Sequence, residues 1–272
     1  MWRRKINIEE LRDFRGAFYL LKFLWKSDNA PIYIMDNHLA AAWCWMQECN
    51  IDEKYNFMQI DQHADLGVRG YAKDIAFIRI NPKISLEDYL ELTYSNPCGS
   101  YKSFQCDNYI TTCYYLFPNW FNTNLFYYTD PCVKGSTQGS GYENFSEQRM
   151  NEGFIIQDIK QFIEEQVFPS SELVIDESMQ KKKWIVNLDL DFFWNKNGNR
   201  IFDDQFVYDL GITIGNALKN IKILTIALSP KWCGGWKKSI ECSRTILTNP
   251  MLVESCLEYI EEKKLFSDDW HY

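Results

Sequence analysis

Six histidine and aspartate side chains follow directly after three short apolar runs of this sequence. They are His38, Asp61, His63, Asp65, Asp189 and Asp191. Imidazole and carboxylate groups bind divalent metal ions, and four carboxylates held close together would repel one another without a cation. Six donors are more than a single structural zinc ion requires, since such an ion takes four ligands. The set predicts two divalent ions with shared carboxylates bridging them.

The spacing within each cluster is two residues. Asp61, His63 and Asp65 alternate with other residues, as do Asp189 and Asp191. Side chains two apart leave an extended chain on the same face, so each cluster is predicted to point in one direction. Taken alone, His38 is typical of a buried core histidine, and a single D-x-D is typical of a turn. His38 and the two clusters together favour a metal site, because burying so many ionisable groups without a cation is costly.

The donor types also indicate which metals and which chemistry to expect. Carboxylates supply most of the donors, so the set suits two Mn²⁺ ions better than a soft metal, although Fe²⁺, Co²⁺ and Zn²⁺ remain alternatives. Two such ions lower the pKa of a water held between them, so that hydroxide exists near neutral pH. The chemistry predicted is metal-assisted hydrolysis.

The elements that must position these residues alternate along the chain. Strands are predicted over 32–35, 56–60, 125–128, 184–188 and 221–228, and a βαβ unit is expected within the first 65 residues. Helices are predicted over 8–26, 39–49, 85–92, 104–117, 155–167, 204–219 and 250–263, with a long loop over 131–146. This alternation favours a three-layer α/β/α fold with a mainly parallel sheet. Ligands of such sheets gather at the carboxyl ends of the strands, where the six residues fall.

Length and composition favour one domain and exclude several function classes. The 272 residues, 46% of them hydrophobic, are expected to form a single domain over 1–272. A net charge of −8 repels phosphate backbones, so no nucleic-acid partner is expected. No apolar run is long enough to span a bilayer, and the basic start runs into Glu9 and Glu10 rather than an apolar signal segment. Nine cysteines without a C-x-x-C pair predict free thiols in a reducing cytoplasm.

The metal-type clusters resemble those of a known family. D-Q-H-A-D at 61–65 resembles the D-x-H-x-D signature of the ureohydrolases (arginases and agmatinases), and D-L-D at 189–191 resembles their second D-x-D. His38 stands where their first ligand stands, and the order agrees over roughly residues 31 to 230. The resemblance implies an arginase-like fold in which Asp61 and Asp189 bridge two ions. It also implies that one site is completed by His38 and Asp65, and the other by His63 and Asp191.

Three longer segments narrow the resemblance to a divergent branch of that superfamily. They are I-M-D-N-H-L-A-A-A-W-C-W, N-L-D-L-D-F-F-W and T-I-A-L-S-P-K-W-C-G-G-W. This branch includes peptide arginases, which convert arginine side chains of ribosomally made precursor peptides to ornithine. The resemblance implies that hydroxide attacks a guanidinium carbon to release urea, with Asp61, Asp189 and Asp65 as the catalytic carboxylates. Asp65 would orient the hydroxide by accepting its hydrogen bond.

The sequence also departs from the arginase pattern. The usual D-x-D-x-x-D-P continues here as Phe, Phe, Trp and Asn at 192–195, so the third Asp and the Pro are absent. The family carries a proton-shuttling histidine in the loop after D-x-H-x-D, and this sequence has no histidine there. His271, next to the last residue, is the one candidate for the shuttle, with a solvated tail histidine as the alternative. Asn108, Asp203 and Asp204 are candidates for substrate binding, with a helix N-cap as the alternative for the last two.

The substrate expected is an arginine-containing precursor peptide. The loop after Asp65 lacks the pattern that holds free arginine in arginases, whereas an acidic chain rich in aromatic residues suits a basic, extended substrate. Free arginine, agmatine or another small guanidino or amide compound is the alternative substrate. A binding protein that kept the fold without activity is a further alternative, and the sequence leaves the oligomeric state open.

Overall fold

The computed structural model describes residues 21, 23–28, 30–67, 78, 81–96, 99–128, 182–195 and 197–247. Its strands are β1 (Leu24–Lys26), β2 (Ile32–Met35), β3 (Asn56–Asp61), β4 (Thr93–Asn96), β5 (Gly99–Lys102), β6 (Thr123–Tyr128), β7 (Trp184–Asp189) and β8 (Ile221–Ala227). Its helices are α1 (Ala41–Glu48), α2 (Leu86–Glu91), α3 (Tyr109–Leu116), α4 (Asp204–Ala217) and α5 (Trp236–Ile246). Short 3-10 helices cover His38–Ala40, Pro118–Trp120, Leu190–Phe193 and Leu218–Asn220.

Six of these strands form one sheet in the order β1-β2-β8-β7-β3-β6. All neighbours from β2 to β6 pair in parallel, and only β1 is antiparallel to its neighbour. The strands β2, β3 and β7 are buried along their whole length, because helices cover both faces of a parallel sheet. The predicted mixed α/β class with a mainly parallel sheet is confirmed.

Alternate strand residues enter two separate apolar clusters, one on each face of the sheet. Ile32 and Ile34 pack into the cluster that includes buried side chains of α4 and α5. Tyr33 and Met35 pack into the other cluster, with side chains of α1, α2 and α3. This alternation follows from the two-residue period of a strand. The sheet therefore lies between two helical layers.

The five predicted strands are confirmed, whereas the predicted helix over 8–26 is wrong at its end. Leu24–Lys26 is strand β1, in which Leu24 pairs with Met35. The Phe23 amide also donates a hydrogen bond to the buried Asp36 carboxylate (2.9 Å). Pairing with β2 satisfies backbone groups here and overrides the helical periodicity of the apolar residues. Residues 8–20 lie outside the described residues.

Four predicted helices are confirmed with shorter bounds. The one expected over 104–117 begins only at Tyr109, because residues 105–108 form a turn closed by the Asn108 side chain. The expected βαβ unit exists as β2, α1 and β3, but β8 and β7 separate its two strands in the sheet. The loop at 131–146 and the helices at 155–167 and 250–263 lie outside the described residues.

The sequence patterns missed two features, the β4–β5 hairpin and helix α5. The hairpin is a two-stranded sheet of its own, with mostly exposed or half-buried residues and little apolar alternation. Helix α5 buries Trp236, Ile240 and Ile246 at helical spacing, but Gly234 and Gly235 precede it directly. Both glycines have positive φ, and this turn begins the helix without a side-chain cap.

The described residues bear on membrane spans and on the state of the cysteines. Within them, no helix has the length and apolar character needed to cross a bilayer. The six cysteines described there are free thiols, as predicted, and five of the six are buried.

Candidate metal centre

The carboxyl ends of β2, β3 and β7 bring the six predicted ligands to one edge of the sheet. Two groups of possible metal ligands form there, His38 with Asp61 and Asp65, and Asp61 with His63 and Asp191. Within each group, the donor atoms all lie within 4.8 Å of one another. Asp61 belongs to both groups, so its carboxylate could contribute a ligand to each of them.

Asp189 lies beside the first of these groups. Its Oδ2 atom is 3.5 Å from His38 Nδ1. The same oxygen accepts a hydrogen bond from the Ser229 hydroxyl (2.7 Å). Ser229 follows β8, the strand between β2 and β7, and adopts the left-handed backbone region with φ of 41°. This serine, which the sequence reasoning missed, holds one carboxylate oxygen of Asp189.

The D-x-H-x-D residues converge by a turn and not along an extended strand as predicted. β3 ends at Asp61, whose Oδ1 accepts the backbone N–H of His63 (2.7 Å). Aspartate commonly makes this hydrogen bond two residues ahead, and it bends the chain. Asp65 then adopts a left-handed conformation with φ of 51°, which turns its side chain back toward His38 (Oδ2 to Nδ1, 3.0 Å).

The second cluster is built in the same way. β7 ends at Asp189, whose Oδ1 accepts the backbone N–H of Asp191 (2.9 Å) and so caps the 3-10 helix Leu190–Phe193. The backbone N–H of Gln62 donates to Asp191 Oδ1 (3.0 Å), and the Gln62 side chain donates to the Trp194 carbonyl (2.9 Å). Gln62, inside D-Q-H-A-D, therefore joins the two ligand segments.

The His38 ring is held at the start of the 3-10 helix that follows β2. Asn37 caps this helix, since its Oδ1 accepts the backbone N–H of Leu39 (2.9 Å). His38 is only 2% exposed, and its Nδ1 faces the carboxylates of Asp65 (3.0 Å) and Asp61 (3.4 Å). A buried imidazole surrounded by carboxylates is not an ordinary core histidine.

The electrostatics of the cluster favour positive charge. Burial and the nearby carboxylates raise the pKa of Asp61, Asp189 and Asp191. Burial alone would lower the pKa of His38, but Asp189, Asp65 and Asp61 outweigh it and raise the pKa to about 10. Burial alone would likewise lower the pKa of His63, but Asp191 and Asp61 outweigh it and raise this pKa to about 12. The carboxylates therefore stabilise the protonated, cationic form of both histidines.

The donor set fits divalent metal ions. Asp191 Oδ2 is buried and accepts no hydrogen bond from the described residues, although His63 Nδ1 lies 3.1 Å away. A buried carboxylate oxygen without a hydrogen bond costs free energy that a cation would recover. The whole cluster offers two imidazole nitrogens and four carboxylates, a donor set in which oxygen predominates and which could hold a divalent ion.

The exposed side of the cluster lies at His63. Its side chain is 36% exposed, whereas those of His38, Asp61 and Asp191 are buried. The indole of Trp232, 38% exposed, lies beside it with 5.4 Å between ring centroids. Lys231 Nζ lies 4.9 Å from the Trp232 ring centroid, so this ring already contacts a cation. Among the described residues, His63 and Trp232 therefore form a solvent-exposed side of the cluster.

The three predicted substrate-binding residues have local structural partners. Asn108 is buried, and its amide accepts from the Gln105 backbone (2.8 Å) and donates to the Ser103 carbonyl (3.1 Å). Asp203 caps α4 by accepting from the Phe206 backbone (2.8 Å), which was the alternative role. Asp204 pairs with Arg200 (2.6 Å) on the surface. Each of the three side chains therefore has a local partner in the fold, and His271 lies outside the described residues.

The chain matches no protein-family model, no curated protein and no solved structure.

Proposed function

We propose that this chain is a two-metal hydrolase that cleaves the guanidinium group of arginine side chains in a peptide, giving ornithine and urea. One observation carries the metal part of the proposal: two His/Asp groups share the buried carboxylate of Asp61. The guanidinium part is supported by the likeness of the D-Q-H-A-D and D-L-D segments to ureohydrolase signatures. An arginase-like fold belongs to the same proposal.

Each residue of the cluster has a distinct role in this reaction. His38, Asp65 and Asp61 would hold one ion, His63, Asp191 and Asp61 the other, and Asp189 would complete the bridge. Two Mn²⁺ ions bound there would supply hydroxide near neutral pH and polarise the substrate. Asp65, half-buried at the edge of the cluster, would accept a hydrogen bond from the attacking oxygen and orient it.

The bond changes are those of a hydrolysis. One water adds its oxygen to the guanidinium carbon, and the bond from that carbon to the side-chain Nε breaks. The carbon leaves as urea, and the Nε takes a proton to become the amine of ornithine. No oxidant or further reactant is required.

The exposed side of the site suits the cationic side chain of arginine, and the peptide substrate is inferred from the sequence resemblance. The exposed side of the cluster carries the aromatic ring of Trp232 beside His63, and the chain has a net charge of −8. An aromatic face and an acidic surface both attract the cationic side chain of arginine. Free arginine and agmatine carry the same guanidinium group and are the alternative substrates.

The test is to incubate the Mn²⁺-loaded protein with an arginine-containing peptide, free arginine and agmatine, and to measure urea and peptide mass. A peptide with lysine at the same position is the control. We expect urea together with ornithine in the arginine peptide, and little turnover of the small compounds. Turnover of free arginine or agmatine alone would overturn the peptide assignment. No urea from any substrate, with metal bound, would overturn the guanidinium chemistry.

A further inference from the structure

A row of polar side chains crosses the middle of the sheet, one layer beneath the candidate ligands. Gln59 on β3 pairs in register with Asn187 on β7, and Asn187 pairs in register with Thr225 on β8. All three side chains are buried. Gln59 and Asn187 stand two residues before Asp61 and Asp189, so they share the face of the sheet from which those carboxylates project.

These side chains form a continuous series of hydrogen bonds that ends on a candidate ligand. The indole N–H of Trp45 donates to the Thr225 hydroxyl (3.1 Å), which in turn donates to Asn187 Oδ1. Asn187 Nδ2 donates to Gln59 Oε1 (2.8 Å), and Gln59 Nε2 donates to Asp61 Oδ2 (2.6 Å). We call Trp45, Thr225, Asn187 and Gln59 the buried relay.

The two ends of the buried relay fix its direction. An indole N–H can only donate, and an ionised carboxylate can only accept. Gln59 therefore turns its amide N–H to Asp61, Asn187 turns its N–H to Gln59 Oε1, and Asn187 Oδ1 faces Thr225. The Thr225 hydroxyl donates to this oxygen, and the Val186 carbonyl at 3.5 Å is the more distant acceptor. An amide N–H of Gln59 consequently always faces Asp61, the carboxylate that both ligand groups share.

One amide of the buried relay and the Tyr109 hydroxyl also lie beside the His38 ring. Asn187 Nδ2 lies 3.2 Å from His38 Nε2, and the Tyr109 hydroxyl lies 3.1 Å from His38 Nδ1. The Tyr109 hydroxyl in turn accepts from Gln59 Nε2 (3.1 Å) and Asn187 Nδ2 (3.0 Å). Burying polar groups in a core costs free energy unless each is bonded, and apolar residues would fill this layer at lower cost. Packing alone gives no reason for the row to be polar.

We propose that the buried relay is a positioning device for the metal centre, and that Thr225 and Trp45 are positioning residues although they touch no candidate ligand. It holds Asp61, the carboxylate that both ligand groups share, through Gln59, so this carboxylate keeps its position before an ion enters. This inference rests on the metal-binding part of the proposed function and not on the guanidinium part.

The test is Thr225→Val, which keeps the side-chain volume and removes the hydroxyl. We expect Mn²⁺ binding, measured by titration calorimetry, to weaken about tenfold or more, the effect typical of residues that support metal ligands. The electron paramagnetic resonance signal of a coupled Mn²⁺ pair should weaken in parallel. Thr225→Ser keeps the hydroxyl and should restore both. Unchanged affinity and an unchanged spectrum in Thr225→Val would overturn the proposal.

Two further variants separate positioning from folding. Thr111→Val is the matched control, because Thr111 is also buried and its hydroxyl has no hydrogen-bond partner among the described residues. It should leave Mn²⁺ binding unchanged; an equal loss there would overturn the relay. If Thr225→Val does not fold, Trp45→Phe breaks the relay at its first bond, and wild-type affinity in that variant would contradict the proposal. Wild-type protein that binds Mn²⁺ but releases no urea would refute the guanidinium chemistry alone.

Discussion

Asp61 lies between the two groups of candidate ligands, and both of its carboxylate oxygens are engaged. Oδ1 accepts the His63 backbone N–H and fixes the turn, while Oδ2 accepts from Gln59 and lies 3.4 Å from His38 Nδ1. No other described residue belongs to both groups. Asp189 is held in the same way, by the Asp191 backbone N–H and the Ser229 hydroxyl.

Removing either carboxylate should therefore abolish the metal centre. We expect Asp61→Ala and Asp189→Ala to lose urea release from an arginine peptide and to retain fewer than two Mn²⁺ ions per chain. Elemental analysis after gel filtration measures the metal content. Asp52→Ala, on an exposed turn, is the control and should behave as wild type. Activity that survives in either cluster variant would contradict the mechanism.

Trp232 is the residue on the exposed side of the site that should contact the substrate. Trp232→Ala removes a cation–π contact worth about 1 kcal/mol, so we expect Kd for an arginine peptide to rise roughly fivefold. Trp232→Phe should retain most of the affinity. The control is Tyr208→Ala, which removes an exposed aromatic side chain on α4. Equal peptide affinity in Trp232→Ala and wild type would place the substrate elsewhere.

The sequence identified the six candidate ligands but not the residues that hold them. The ligands were recognisable because histidine and aspartate at strand ends are costly without a cation. Gln59 and Asn187 carried a comparable signal, since each is a polar residue inside an apolar strand, two positions before an aspartate. Ser229 and Tyr109 carried none, because they reach the site from distant parts of the chain.

At the scale of elements, short apolar runs between turn formers identified the central strands, whereas β1 was mistaken for the end of a helix. Its three residues are strand because β2 offers them a partner, which no local pattern reveals. The contact of β1 and β2 with α1 can be tested. Glu48, at the end of α1, accepts hydrogen bonds from Lys26 Nζ (2.7 Å) and the Tyr33 hydroxyl (2.6 Å).

This contact should make stability depend on pH. Burial raises the pKa of Glu48, but the hydrogen bonds and charge of its partners outweigh this, and the pKa is lowered. Its stabilisation is therefore complete above the unfolded-state pKa and is lost as the pH falls through the lowered value. We expect Glu48→Gln to reduce the free energy of unfolding by about 1 kcal/mol at neutral pH and by less near about pH 3.

Urea unfolding of the variant and the wild type at both pH values measures this difference. Glu241→Gln, on the exposed side of α5, is the control and should show no such pH dependence. A deficit in Glu48→Gln that is equally large near about pH 3 would show that packing, and not the charge of Glu48, connects α1 to the strands.

At the scale of the whole molecule, the alternation of strands and helices predicted the class of fold but not the strand order. In the sheet, β7 and β8 lie between β2 and β3, although both follow β3 by more than a hundred residues in sequence. This order brings His38, Asp61 and Asp189 to one edge, with Ser229 between them. Such pairing depends on contacts between distant segments, whereas sequence periodicity reports only local structure.

The most direct test of this account is the number of Mn²⁺ ions that the wild-type chain binds at saturation, counted by equilibrium dialysis and elemental analysis. We expect two ions per chain, together with the magnetic signature of a coupled pair, because two ligand groups share Asp61. A chain that binds none, or only one, under conditions in which it is folded would contradict the two-metal centre and the hydrolysis inferred from it.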